Sequence, residues 1–221
     1  MNLENLYNKL GNFLVKRDFE IIKDAMRDIE TEIITNGKVN KGIKSAFKRV
    51  LKQNDFREGI RQIYTTKDGF YALTNGYFLV DYGKDKNNVP KELQSYIDIV
   101  DCPKTTLDYE HTKLNESEDI KNYCVYLEHL EKLHKYNKIN SEDLIPYRIE
   151  NKYLNPTYFL DVLTLMGFNA KNNNVIIKMT KNATSPIEIL IGETKAILLP
   201  IRVTEDVKEH YDTKFEEIIN T

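Results

Sequence analysis

The sequence has no tryptophan, only two cysteines, and no apolar run long enough to cross a bilayer as a helix. Two cysteines are too few for a disulfide scaffold, so we expect a reducing, cytoplasmic setting. The first residues carry acid and amide side chains, where a signal peptide would have a basic stretch and an apolar core. These absences predict a cytoplasmic protein with no membrane partner.

Enzyme signatures are also missing from the sequence. It has no glycine-rich phosphate loop, no cysteine or histidine pair at zinc-ligand spacing, and no nucleophile motif. His129 and His134 are five residues apart and therefore do not share a helical face. We predict a non-enzyme with no catalytic residues, no cofactor and no metal, and we keep an enzyme on an unrelated α+β scaffold as an alternative.

What the sequence does have is an ordinary globular composition. Hydrophobic residues make up 41% and charged residues 30% of the 221 residues, enough for one large domain or two small ones. The net charge of −2 excludes a uniformly basic nucleic-acid binder. It leaves room for a basic face that is balanced by acidic residues elsewhere.

The last quarter of the chain predicts one helix with well-marked ends, followed by three strands. Asn155 can cap the helix, Pro156 fits its first position, and Gly167 can close its C-terminus. One face of this helix is apolar: Phe159, Leu163 and Met166. The strands are expected near residues 174–180, 186–191 and 195–203.

The first half of the chain predicts the same order of elements. A short strand at 32–34 precedes a helix at 41–52, and three strands joined by glycine-containing turns follow. These three strands are expected at 60–66, 70–74 and 77–82. In the second half, the leading strand is expected at 147–151. Both halves thus read strand, helix, strand, strand, strand, which indicates an internal structural repeat.

The repeat closes on the segment Leu199-Pro200-Ile201-Arg202-Val203. Together with the helix and the three strands, this ending resembles the closing segment of bacterial DNA polymerase sliding clamps, the beta subunit family. The resemblance implies an α+β fold with a DNA-clamp-like domain made of two βαβββ units. In such a domain two helices lie on one side of a curved antiparallel sheet. Extra helices at the N-terminus, in a central insertion and at the C-terminus depart from the family.

The resemblance also sets the expected boundaries. An N-terminal helical extension is expected at 1–29, a clamp-like domain at 30–203 and a C-terminal helical tail at 204–221. Within the clamp-like domain, the two units are expected at about 30–83 and 147–203, and an insertion at 84–146 separates them. In the insertion, four residues share one face of a predicted helix: Tyr123, Leu127, Leu130 and His134. In the tail, Thr204 is expected to cap a short helix.

The helix at 41–52 carries a basic stripe, which we define as Lys41, Lys44, Lys48, Arg49 and Lys52. The four lysines recur at spacings that place them on one face, with the arginine beside them. Residues 37–62 hold eight basic and two acidic side chains, a local balance of +6. Such a stripe suits contacts with the phosphates of double-stranded DNA, and the resemblance implies that this helix faces the duplex. The alternative is a lysine-rich face that meets only water.

The second candidate site is a pocket for partner peptides, which the resemblance implies. Its residues come from the closing strand and from a turn that matches the family's Thr-Asp-Gly loop, with Asn75 where the family usually has Asp. The pocket residues are Thr74, Gly76, Tyr77, Leu79, Leu199, Pro200, Ile201 and Arg202. The alternatives are that Leu199 and Ile201 are core residues of an edge strand, and that the tail after Val203 covers the pocket.

The leading hypothesis is a sliding-clamp-like processivity factor for DNA replication, of phage or other mobile-element origin. It would bind duplex DNA without sequence preference, tether DNA polymerase or clamp-loader peptides, and assemble as a homo-oligomer. The alternative hypothesis is a clamp-fold interaction or regulatory module that binds replication proteins without encircling DNA.

Overall fold

The computed structural model describes residues 41–52, 63–65, 69–97, 121–123, 125–140, 143–168 and 175–221. The helix predicted within 1–29 and the strand predicted at 32–34 lie outside them. The described α-helices are α1 (Lys41–Lys52), α2 (Leu127–Ile139), α3 (Pro156–Leu165) and α4 (Glu205–Ile219), and two short 3₁₀ helices lie at Lys86–Asn88 and Gln94–Tyr96. The described strands are β1 (Tyr64–Thr65), β2 (Tyr71–Thr74), β3 (Phe78–Asp81), β4 (Lys121–Tyr123), β5 (Tyr147–Ile149), β6 (Lys152–Leu154), β7 (Ile176–Met179), β8 (Ile187–Ile191) and β9 (Thr194–Leu198).

The ends of α3 form as the local sequence predicts. The side-chain oxygen of Asn155 accepts hydrogen bonds from the backbone N–H groups of Thr157 (2.9 Å) and Tyr158 (3.3 Å). Pro156 occupies the first turn, where a missing N–H leaves no bond unmade. Gly167 follows the helix with φ +74°, a conformation that other residues rarely adopt. The helix and its cap are confirmed.

Seven strands form one antiparallel sheet in the order β1-β2-β3-β9-β8-β7-β4, and β5 and β6 form a separate hairpin. Three consecutive strands follow α1 and another three follow α3. The two sets join where β3 pairs with β9, with Phe78 opposite Leu198. The α+β class is confirmed, and α1 and α3 are each followed by a three-stranded antiparallel meander.

Alternation along the strands separates a helix-facing side of the sheet from an opposite side. In β8, three isoleucines are buried in the main core: Ile187, Ile189 and Ile191. Glu188 lies on the opposite side and pairs with Lys195 at 3.0 Å. Four side chains of α1 join the same core: Ile43, Ala46, Phe47 and Val50. Burial of this apolar surface holds the helices on one side of the sheet.

The helices pack in the order α1, α3, α2, α4, because contacts run from α1 to α3, from α3 to α2 and from α2 to α4. α3 also packs over β3 and β9 at the middle of the sheet. α2 comes from the predicted insertion and begins at Leu127. One residue predicted on its apolar face, Tyr123, lies in β4 instead and pairs with Ile177. Short apolar segments fit both helical and strand spacing, which explains this wrong assignment.

The sequence predicts one strand before α3, at 147–151, and the structure has two. The chain turns at Glu150, which takes φ +51°, and continues into β6. β6 was missed because it begins with a charged residue, Lys152. The side chain of Lys152 is nevertheless fully buried, and its Nζ donates to the carbonyls of Ser185 (2.8 Å) and Asn182. Backbone acceptors thus make a lysine compatible with an interior strand.

The last strand was predicted to run to Val203, but β9 ends at Leu198. Pro200 has no N–H with which to continue the ladder of the sheet. Beyond it, the N–H of Ile201 donates to the carbonyl of Tyr153 at 2.7 Å. The chain therefore leaves the large sheet for the edge of the β5–β6 hairpin.

α4 packs against α2 and β5. Thr204 is its N-cap residue as predicted, although the threonine side chain makes no capping hydrogen bond. Phe215 is buried beside Tyr147, with ring centroids 6.0 Å apart, and the guanidinium of Arg148 lies over its ring at 5.4 Å. Arg148 also forms an ion pair with Asp212 at 3.0 Å. The tail is therefore a packed part of the fold.

Candidate nucleic-acid and peptide-binding surfaces

α1 carries the basic stripe, and the structure describes three of the five side chains. Lys48 and Arg49 are exposed, and Lys44 is half-buried. Lys41 and Lys52 are helical in backbone, but their side chains lie outside the described part of the structure. The helix is confirmed, whereas its contact with DNA remains a prediction.

The amine of Lys44 is not displayed as the stripe pattern predicts. Its Nζ is enclosed and has no hydrogen-bond partner among the described residues. Burial lowers the pKa of this amine, the charge of Lys48 lowers it further, and Glu92 acts in the opposite direction. Of the two stripe lysines whose side chains the structure describes, Lys48 is therefore the more exposed.

Arg49 forms an ion pair between α1 and α3 that the sequence did not indicate. Its Nε lies 3.0 Å from each carboxylate oxygen of Asp161, and its Nη2 also donates to Oδ1. The hydrogen bond to Asp161 raises the pKa of Arg49. Burial raises the pKa of Asp161, and Arg49 only partly offsets that shift. Burial is the larger effect on the pKa of Asp161 and the hydrogen bond is the larger effect on that of Arg49, because the Asp161 side chain is only 3% exposed and the Arg49 side chain is 46% exposed.

A histidine on α2 completes a polar cluster, which we call the helix junction: Arg49, His134, Thr157 and Asp161. His134 Nδ1 lies 3.0 Å from Thr157 Oγ1. Burial lowers the pKa of His134, and the positive charge of Arg49 lowers it further. The junction joins α1, α2 and α3 through polar groups, an arrangement that the sequence analysis did not predict.

The β2–β3 turn holds the first half of the predicted peptide pocket. Asn75 Oδ1 accepts from the N–H groups of Tyr77 and Phe78, both at 2.9 Å. Gly76 takes φ +85°, and its N–H donates to the hydroxyl of the buried Thr74 at 3.0 Å. An amide oxygen accepts these bonds as a carboxylate oxygen would, so the turn forms with an asparagine at this position.

The closing segment lies beside this turn and exposes apolar surface. The N–H of Leu199 donates to the carbonyl of Tyr77 at 3.0 Å. Tyr77 is 54% exposed and Leu199 is 41% exposed, which contradicts a core role for Leu199. Tyr77 stacks on Tyr158 of α3, with ring centroids 5.3 Å apart. We call Tyr77, Tyr158, Leu199 and Pro200 the apolar patch; α4 packs elsewhere and leaves Tyr77 and Leu199 uncovered.

The remaining predicted pocket residues are placed differently from the patch. Leu79 is buried in a small cluster with Ala72 and Ile197, so it offers no surface to a ligand. Ile201 is half-buried at the edge of the hairpin, and Arg202 is exposed. Tyr158, in contrast, belongs to the patch and was missed by the sequence analysis. Its place in the first turn of a proline-started helix was the only local signal.

In the described ranges, no helix is both long and apolar enough to span a membrane. The same part of the chain brings together no group of three His, Cys, Asp or Glu side chains that could hold a metal ion. Comparisons with protein-family models, with curated proteins and with solved structures find no match. The basic stripe and the apolar patch are therefore the features of this chain that bear on function.

Proposed function

We propose that the protein is a sliding-clamp-like processivity factor, which binds duplex DNA without sequence preference and tethers replication proteins. The observation that carries the proposal is the arrangement of α1 and α3. Both helices pack on one side of a sheet built from two meanders, and Lys48 and Arg49 of α1 are exposed. A helix that displays cations away from its core is suited to the phosphates of a duplex lying across the helix side.

Contacts of this kind depend on charge and not on base sequence. Lysine and arginine replace counterions along the DNA backbone, so the duplex can move while it stays bound. Retention would come from a closed ring of several such domains. This chain supplies one domain, so closure requires a head-to-tail homo-oligomer. Among the described strands, β1 and β4 are the outermost of the large sheet, and pairing between copies could take place there.

The apolar patch is the proposed docking place for a short peptide from a polymerase or a clamp loader. Tyr77 and Leu199 expose apolar surface, and the stacked Tyr158 limits the freedom of the Tyr77 ring. Partly rigid aromatic side chains of this kind often anchor peptides, because little side-chain entropy is lost when they bind.

The test of DNA binding is the affinity for a labelled duplex, measured by fluorescence anisotropy at several salt concentrations. We expect Lys48→Glu to weaken binding and to reduce the slope of log affinity against log salt by about 0.9 for one lost phosphate contact. The matched control is Lys208→Glu, the same charge change on α4, which is separated from α1 by α3 and α2. Equal effects of the two variants, or no salt-dependent binding by the wild type, would overturn the proposal.

A second candidate is a clamp-fold interaction or regulatory module that binds replication proteins without encircling DNA. Two observations favour it: α2 and α4 extend the row of helices beyond α3, and Arg49 is already paired with Asp161. In this case the apolar patch is the working surface. This candidate predicts a monomer with no salt-dependent duplex binding, so the anisotropy experiment and the solution mass together separate the two.

A further inference from the structure

The guanidinium of Arg49 has donors left over after it binds Asp161. Nε and Nη2 donate to the carboxylate, whereas Nη1 has no hydrogen-bond partner in the part of the chain that the structure describes. A guanidinium carries its N–H donors in a rigid planar fork, so the Nη1–Nη2 side keeps donors for a second anion. The side chain is 46% exposed, which leaves this anion a path of approach.

We propose that Asp161 is a positioning residue, which holds Arg49 so that the Nη1–Nη2 side of its guanidinium faces a DNA phosphate. The inference rests on the proposed function, because it assigns a partner to the exposed side of Arg49. The carboxylate takes one side of the guanidinium and the phosphate takes the other. Asp161 itself is buried and does not touch the DNA.

Holding the guanidinium in advance strengthens phosphate binding for two reasons. A long side chain that is already ordered loses little entropy when the DNA arrives. An arginine in a fixed orientation can also donate to two phosphate oxygens side by side, which a lysine in the same place cannot do. Lys48 precedes Arg49 and is exposed, so the site has a second cation nearby.

The rival explanation is that the ion pair only ties α1 to α3. A buried carboxylate without a partner is strongly destabilising, so loss of the Arg49 charge would destabilise the fold in either case. The two explanations differ in the DNA affinity they predict for variants that fold. Asp161 carries a negative charge close to the proposed site, and simple Coulomb repulsion predicts that removing this charge tightens DNA binding. Positioning predicts the opposite sign.

The test compares duplex affinity and its salt dependence for the wild type, Asp161→Asn, Arg49→Lys and Glu188→Gln. Glu188→Gln is the matched control, because it removes a carboxylate that pairs with Lys195 on the opposite side of the sheet. We expect Asp161→Asn to weaken binding about tenfold although it removes a negative charge, while the control is unchanged or slightly tighter. Arg49→Lys keeps the charge and should also weaken binding, with an unchanged salt slope.

Thermal melts followed by circular dichroism fix a temperature at which the compared proteins are folded. Binding by Asp161→Asn as tight as that of the wild type, or tighter, would overturn the positioning role and leave the DNA-binding proposal standing. Wild-type affinity in Arg49→Lys would overturn the fork contact, even if Asp161→Asn did not fold. A wild type without salt-dependent binding would remove the proposed function, and this inference with it.

Discussion

Asn75 shows how a single side chain fixes a turn. It is 2% exposed, and its Oδ1 accepts hydrogen bonds from the N–H groups of Tyr77 and Phe78 at the start of β3. We expect Asn75→Ala to lower the free energy of unfolding by about 2 kcal/mol, because two N–H groups lose their acceptor. Asn75→Asp keeps the acceptor and should lose less. Urea denaturation measures both, and equal losses would contradict this account of the turn.

His134 in the helix junction makes stability depend on pH. Burial and the charge of Arg49 lower the pKa of its imidazole, so the fold favours the neutral ring more than the unfolded chain does. This stabilisation is fully present above about pH 6.5 and is lost as the pH falls from there towards the lowered pKa. Asp161 acts in the opposite direction at lower pH, because its pKa is raised and protonation favours the folded state.

We therefore expect the wild type to lose stability as the pH falls from about 7 to about 5, and His134→Gln to lose less over the same range. Denaturant unfolding at each pH measures the difference. Unfolding at about pH 8, where the ring is neutral in both states, gives the effect of the substitution that does not depend on pH. Parallel stability curves for the two proteins would show that His134 has the same pKa in both states.

The helix junction could not be predicted from the sequence. Arg49 and Asp161 are 112 residues apart, and each has an adequate local explanation as an exposed helical residue. Only the packing of α1 on α3 brings them together. Helical spacing put Lys44 and Lys48 on one exposed face of α1; Lys48 is exposed, but the enclosure of the Lys44 amine depends on packing that the spacing does not show.

At the level of elements, prediction succeeded where the signals are local. α3 has its cap, its proline and its closing glycine within a few residues, and these signals act without tertiary help. β6 and the end of β9 depend on distant partners instead. Lys152 fits in β6 because its amine donates hydrogen bonds to carbonyls of the β7–β8 turn. Ile201 lies away from the large sheet because its N–H donates to the carbonyl of Tyr153 at the edge of the hairpin.

The anchoring of α4 gives a prediction for a whole element. Phe215 is the side chain of this helix that is buried in the core, and it lies against Tyr147. We expect Phe215→Ala to lower the free energy of unfolding by about 3–5 kcal/mol, since it leaves a cavity between α4 and β5. Glu209→Ala, an exposed position on the same helix, should stay within about 0.5 kcal/mol of the wild type. A small loss in Phe215→Ala would mean that α4 adds little to stability.

For the whole molecule, a helix followed by three strands was predictable in each half, but the joining of the halves was not. Strand, turn and helix signals gave two meanders, each after a helix, because all of these signals are local. The pairing of β3 with β9 connects segments more than a hundred residues apart and depends on the shared core. The sequence predicts one sheet only through the resemblance to a known family.

The prediction for the whole molecule concerns its mass in solution. A ring built from one-domain chains requires a defined homo-oligomer, so light scattering should give a multiple of the monomer mass that persists on dilution. Low salt should favour the assembly only if opposite charges meet at the contacts between copies. A monomer at every concentration would rule out a closed ring and leave the interaction module as the function.

Chemical labelling of the buried Lys152 amine can report local opening of the structure around it. Its amine is sealed, with 0% of the residue exposed, and it is held by carbonyls of the turn between β7 and β8. An acylating reagent in the solvent cannot reach such an amine until that corner of the molecule separates. The rate of Lys152 labelling, measured by mass spectrometry, therefore reports how often this part of the structure opens. Surface lysines react at once and are labelled before Lys152.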